Sequence, residues 1–315
     1  MRRSKKVKNL LAAMLIMVIV SCINTNLETK AQAASISHPM PINAVFPDGG
    51  LAKAVKTALK KKHVTDLVTQ KELNEIGKYL YGNDLSIESL EGIQYLNCLE
   101  QLYLSRNQIS DLSPLKDLKN LVILCLDENK LKNLEGISST KLVRLLVDGN
   151  EITDVSPLAK LTQLEILSIS KNKLSNIDPL AELTKLRVLD LESNKVSDLS
   201  AIGKLKKLNS LNAACQKCVN EPVAYKAKLA IPNIVKGPDN VLVLPTDISD
   251  NGEYTNISGK IKWKLSTYTK EVSYKYVRLV EIGEAEGQFD VTVVQPLHLK
   301  GLETCQGPYY NCLAK

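Results

Sequence analysis

Phenylalanine, tryptophan and histidine are nearly missing from this chain: two phenylalanines, one tryptophan and three histidines stand among its 315 residues, and all aromatics together make 4%. With so few large rings, the core of a chain that is 44% hydrophobic must be aliphatic. The histidines, His38, His63 and His298, are scattered, and HExxH, GxSxG, P-loop and dinucleotide-binding patterns are absent. Hydrolase and kinase chemistry therefore has no residues to rest on, and no cofactor is called for. His63 stands beside a lysine run and reads as an exposed residue. The stretch 247–252 begins like a calcium loop, but its twelfth position is Ser258, where a bidentate acid is needed. A hairpin turn is expected there, and no metal site.

Long apolar runs are lacking too. The strongest, residues 10–20, is about half a membrane span. It follows the basic start MRRSKKVK and precedes Ala31-Gln32-Ala33, the order of a secretory signal peptide over residues 1–33. The net charge of +7 is concentrated there, and beyond residue 33 the chain carries 35 basic against 33 acidic residues. A nucleic-acid partner loses its support. The mature chain is expected to be secreted, monomeric and without stable membrane insertion. An alternative is Ile19-Val20-Ser21-Cys22, a lipoprotein pattern that would make it a surface-retained adhesin through a lipid on Cys22.

What the chain does have is a repeat. From Leu99 it divides into LEQLYLSRNQI, LVILCLDENKL, LVRLLVDGNEI, LEILSISKNKL, LRVLDLESNKV and a shortened LNSLNAACQKC, with Asn107, Asn129, Asn150, Asn172 and Asn194 spaced by 22, 21, 22 and 22 residues. This is the leucine-rich-repeat pattern L-x-x-L-x-L-x-x-N-x-[IL]. Its leucines point into a flat core, the segment around L-x-L forms one strand of a parallel sheet on the concave side, and asparagine serves the backbone at the sharp turn. The second half of most units has apolar residues about every third position and a proline at Pro114, Pro157 or Pro179, which suits a tight helix on the convex side.

A solenoid needs its ends covered. Residues 34–76 read as a helical cap, with Leu51, Val55 and Leu59 on one face. Residues 77–218 hold the repeats, starting with a degenerate unit around residues 79–98. After Cys218 the period becomes two: Ile261, Trp263 and Leu265 alternate, and 272–280 and 289–294 are strand-like. Residues 219–297 are expected to form an immunoglobulin-like β-sandwich, with 298–315 as a tail. The expected fold is thus multi-domain α+β.

Cys215-Gln216-Lys217-Cys218 has zinc-site spacing but needs two more ligands, and Cys305 and Cys312 are poorly spaced for that. Secretion permits disulfides, and the pairing among these four is not readable from sequence. Cys218 is expected as a buried residue closing the last turn, and Cys98 and Cys125 as free thiols.

The signal peptide, the VFPD…LAKAVKTAL…VTDLVTQKEL segment, the repeats containing ISDLSPL, and the CVNEP junction together resemble the internalins of Listeria. The resemblance covers the chain to about Leu297. It implies a repeat region that binds host-cell proteins, joined rigidly to its cap and immunoglobulin-like domain. The sorting motif and basic anchoring modules of large members are not seen, which implies a freely secreted virulence factor. The tail HLKGLETCQGPYYNCLAK departs from the family pattern.

Binding is expected at positions 3, 5 and 7 of each unit, which face away from the core. Ile123, Leu146, Ile166 and Val188 would form an apolar cluster there, edged by Asp127, Asp148 and Glu192. Tyr103, Arg144 and Leu146 are the expected anchors, since Tyr and Arg are enriched at hot spots. Further aromatics are not expected on this face. A rival class, a repeat-guided catalytic effector using Cys305 or Cys312, lacks both space and an activating histidine.

Overall fold

The computed structural model describes residues 34–299. The expected signal peptide, Cys22, Cys305, Cys312 and all but the first residues of the tail lie outside the described residues.

The first elements are short because their signals are short. Strands β1 (Met40–Pro41) and β2 (Leu67–Val68) pair antiparallel around helices α1 (Ile42–Val45) and α2 (Gly49–Ala58). Asp48 caps α2, its carboxylate accepting from Leu51 N at 2.9 Å. Helix α3 (Gln70–Glu75) starts at a full capping box made by Thr69 and Glu72. Leu51, Val55 and Leu73 are fully buried beneath them.

The repeats then supply one three-residue strand each: β3 (Tyr79–Tyr81), β4 (Gln101–Tyr103), β5 (Ile123–Cys125), β6 (Arg144–Leu146), β7 (Ile166–Ser168) and β8 (Val188–Asp190). All are parallel and in register. Their central residues, Leu80, Leu102, Leu124, Leu145, Leu167 and Leu189, point into the core and are essentially inaccessible. Burial of such a side chain stabilises by about 1.5–3 kcal/mol.

After each strand the chain turns through a left-handed residue. Arg106, Glu128, Gly149, Lys171 and Ser193 all have φ between +52° and +65°. The asparagine that follows is buried and compensates this strained turn. Asn172 Oδ1 accepts from Ile152 N at 2.9 Å, and its Nδ2 donates to Val147 O and Ile169 O, so one side chain joins successive turns. Tight three-residue-per-turn helices at Ser113–Asp117, Ser156–Lys160 and Asp178–Glu182 occupy the other side, each with proline in its first turn. The 21-residue unit has no proline and no such helix. There, buried Ser139 donates to Lys119 O and Leu121 O instead.

Strand β9 (Ser210–Val219) pairs with β8 and then runs on, parallel, beside β16 (Ala285–His298). The expected boundary after Cys218 therefore falls inside a strand. Gln216 takes the asparagine's place: its Oε1 accepts from Val196 N at 3.0 Å and its Nε2 donates to Leu191 O at 2.9 Å. Cys215 has the left-handed φ of the preceding turn residues, +59°, and Cys218 fills the slot held by Ile109, Leu131, Ile152, Leu174 and Val196 in earlier units. The last unit is complete rather than shortened.

Strands β15 (Glu271–Ile282) and β16 form a hairpin longer than the expected 272–280 and 289–294, and β10 (Val223–Ala224) and β12 (Asp247–Ile248) extend that sheet. A separate three-stranded sheet holds β11 (Lys228–Pro232), β14 (Lys260–Lys264) and β13 (Glu253–Thr255). Tyr276 donates to Asn233 Oδ1 at 2.6 Å and Tyr274 to Pro232 O, tying the two sheets, and Trp263 donates to Ser249 O at 2.8 Å. The 250–252 stretch is a turn, with Asp250 and Asn251 left-handed and Gly252 N donating to Ser249 O.

The same region grips the last repeat. Lys236 N donates to Ser197 O and Leu199 N to Lys236 O, while Glu284 N at the hairpin tip donates to Leu208 O. Asp290 accepts from Cys215 N.

Candidate protein-binding face

The parallel register sets two rows of outward side chains. Position 3 gives Tyr79, Gln101, Ile123, Arg144, Ile166, Val188 and Ser210 in order. Position 5 gives Tyr81, Tyr103, Cys125, Leu146, Ser168, Asp190 and Asn212. All expected site residues thus share one sheet face or its edge. The apolar cluster is divided, because Arg144 stands between Ile123 and Ile166; only Ile166 and Val188 adjoin within their row. Cys125, at position 5, is buried rather than open.

Aromatics are more abundant here than the five complete units suggested. Tyr79 and Tyr81 are 54% and 61% exposed, and Tyr81 stacks on Tyr103 with ring centroids 4.8 Å apart. Tyr79 lies against Tyr81 at 5.7 Å. Counting back 22 residues from Gln101 and Tyr103 would have found both. The unit is legible as a degenerate repeat, but Leu85 stands where the five complete units have asparagine, so its outward positions lack the register mark.

The acidic edge is engaged by its own backbone. Asp127 Oδ1 accepts from Asp148 N at 2.9 Å, and Asp148 accepts from Ser168 Oγ at 2.7 Å and from Ser170 N at 2.6 Å. Glu192 accepts from Asn212 Nδ2 at 3.2 Å. Burial holds the Asp127 and Asp190 carboxyls above the usual carboxylate range, and neighbouring carboxylates add to it.

Neither Cys125 nor Cys218 resembles an activated nucleophile. Burial pushes Cys125 and Cys218 up to about 11, and Cys218 donates to Lys195 O at 3.1 Å. Among the described residues, the cysteines Cys98, Cys125, Cys215 and Cys218 form no disulfide with one another, and no group of three or more acidic, His or Cys residues is placed to hold a metal. No helix among them is long and apolar enough to cross a membrane.

Comparison with known proteins follows the same division of the chain. Residues 29–74 match the family described as bacterial adhesion/invasion protein N terminal, 99–139 and 140–182 match leucine-rich repeats, and 241–298 match the leucine-rich-repeat-adjacent family. Internalin C of Listeria monocytogenes is 48% identical over 94% of this chain and 99% of its own length. The chain belongs to the internalin family. Internalin H of the same species is 42% identical over 28% of this chain and 16% of its own. A solved structure of internalin C2 from Listeria monocytogenes is 41% identical, covers 59% of this chain and 90% of its own, and has a TM-score of 0.48. As an internalin, the chain is a leucine-rich-repeat protein of a protein-interaction family, and the sheet face with Tyr79, Tyr81 and Tyr103 is its candidate contact surface.

Proposed function

We propose that this internalin is a secreted, non-enzymatic virulence effector that binds a host protein through the concave face of its repeats. Residues 34–76 act as its helical cap, and the β-rich region after the repeats acts as an immunoglobulin-like domain that closes the other end. The observation that carries the reading is the run of outward tyrosines and aliphatics on the repeat sheet, with Tyr79 and Tyr81 more than half exposed. A packed monomer gains little from exposing adjoining rings, whereas tyrosine is enriched among binding hot spots. The contact set is Tyr103, Ile123, Arg144, Leu146, Ile166 and Val188, edged by Asp127, Asp148 and Glu192 and extended by Tyr79 and Tyr81.

The test is capture of partners from host lysate with the parent protein and a Leu146→Asp/Ile166→Asp variant. Both side chains are only partly buried, so the variant is expected to fold and to lose the partner. Unchanged capture would place binding elsewhere.

A further inference from the structure

The second half of β15 has no neighbour on one side. Alternate residues of a strand turn their backbone groups to opposite sides in the plane of the sheet. Lys270 O accepts from Leu297 N on the β16 side, whereas Ser273 O accepts from Ser249 N and Lys275 O from Thr246 N on the β12 side. Odd-numbered residues therefore face β12, which pairs only as far as Lys275. Past that point the N–H and C=O groups of Val277, Leu279 and Glu281 face outward, and among the described residues no strand pairs with them there. The side chains of Val277 and Leu279 are also in solvent, 59% and 61% exposed. An open cleft lined by Pro238, Asp239, Arg278 and Glu281 leaves room beside them. Open apolar edges promote pairing, and proteins usually blunt them by brevity, lysine or proline. Strands β10, β12 and β13 are two or three residues long, and β11 carries Lys228 and Pro232 on its free edge. Between residues 277 and 281, β15 has neither lysine nor proline.

We propose that this edge pairs with the same edge of a second copy, the two β15 strands running antiparallel about a two-fold axis at Leu279. The inference does not rest on the repeat face, and it makes the expected monomer the dilute state. Each facing pair, Val277 with Glu281 and Leu279 with Leu279, exchanges two backbone hydrogen bonds. The side chains select that register. Lys275 and Glu281 flank Val277 and Leu279 on one side of the strand, all of them exposed. They lie roughly 20 Å apart, too far to meet within one chain. Antiparallel pairing about Leu279 sets Glu281 of each copy diagonal to Lys275 of the other, within reach of a long side chain. Val277 and Leu279 of both copies then cover one another between two ion pairs. A shift toward residue 281 brings the two acidic ends together, and a shift toward residue 275 drives each strand into the other copy's β12. A two-fold contact of this kind closes at two copies.

The test is sedimentation velocity under reducing conditions, so that exposed thiols cannot link copies. A five-residue edge makes a small interface, so a weak dimer is expected and is sought from about 10 μM to about 1 mM. The sedimentation coefficient of the parent should rise with concentration across that range. Leu279→Lys sets two ammonium groups on the axis and should hold the protein monomeric. Lys275→Glu and Glu281→Lys should each weaken association about fivefold, the factor for losing two exposed ion pairs, and the double variant, which exchanges the ends, should restore it. A parent that stays monomeric throughout, a dimer indifferent to Leu279→Lys, or single charge variants not rescued by the double would each overturn the proposal. Melting curves check the fold; should Leu279→Lys unfold, the charge exchange alone decides.

Discussion

Gln216→Ala is expected to unfasten the end of the repeat array. The side chain is 2% exposed and makes four hydrogen bonds: Val196 N donates to its Oε1, and its Nε2 donates to Leu191 O, Ala213 O and Ala214 O. Alanine is too short to reach any of them, and the site is too enclosed for water to take over freely. The orphaned Val196 N–H costs about 1–3 kcal/mol, while Leu191 O keeps its bond from Asn194 Nδ2 and Ala214 O its bond from Ser193 N, so a loss of about 1–3 kcal/mol is expected. Urea unfolding followed by circular dichroism measures it, and amide exchange at Val196 localises it. Lys217→Ala, next door and exposed, should stay within about 0.5 kcal/mol. If the two variants unfold alike and the Val196 amide stays protected, Gln216 is not the last rung of the asparagine ladder, and the account of the junction fails.

Other outcomes follow from the same geometry. Gly203→Ala would bring a Cβ within 2.0 Å of Pro238 O, so it should lower the unfolding midpoint far more than Gly49→Ala, where nothing lies within 4 Å. Tyr81→Ala should reduce partner capture while leaving the melting temperature within a few degrees, because the ring is mostly exposed. Cys98 should react with a maleimide at pH 8 well before Cys218, whose buried thiol is pushed up to about 11. The Asp190 carboxyl is raised in the folded protein, so the fold binds that proton more tightly than the unfolded chain does. Its contribution to stability is therefore largest below the unfolded carboxyl pKa and disappears as pH rises through the folded value. Melting of Asp190→Asn should exceed the parent at neutral pH, with the gain shrinking toward pH 3; a variant less stable at neutral pH would refute the sign.

The repeat was legible because periodicity survives substitution. Asparagine every 22 residues set the register, and the leucines at positions 1, 4 and 6 are all buried. The failures share one cause: a unit was recognised by residue type where position was decisive. Glutamine stood in for asparagine at 216, and the longer side chain still reaches Val196 N. Leucine stood in at 85, and although the stretch 79–98 was legible as a degenerate unit, its outward positions, Tyr79 and Tyr81, were not placed in the rows. Division of the apolar cluster by Arg144 was already present in the position-3 row. Its consequence became visible only once the strands were laid side by side. The full length of the β15–β16 hairpin was hidden by glycines and charged residues at its tip, which local propensity disfavours and the contact with Leu208 rewards.

These substitutions bear on how the face would work. Because Gln216 completes the ladder and β9 continues from β8 to β16, the strand bearing Asp190 is flanked on both sides by paired strands. Its carboxylate cannot easily swing away from Asp148 and Glu192 to relieve the repulsion. A partner would find this face already ordered and would bear little ordering cost, which favours affinity. Weakening the junction should therefore weaken binding at a distance. Gln216→Ala, which touches no outward residue of the repeats, is expected to lower partner affinity with Asp190 and Glu192 intact, and the loss should grow in urea concentrations too low to unfold the parent.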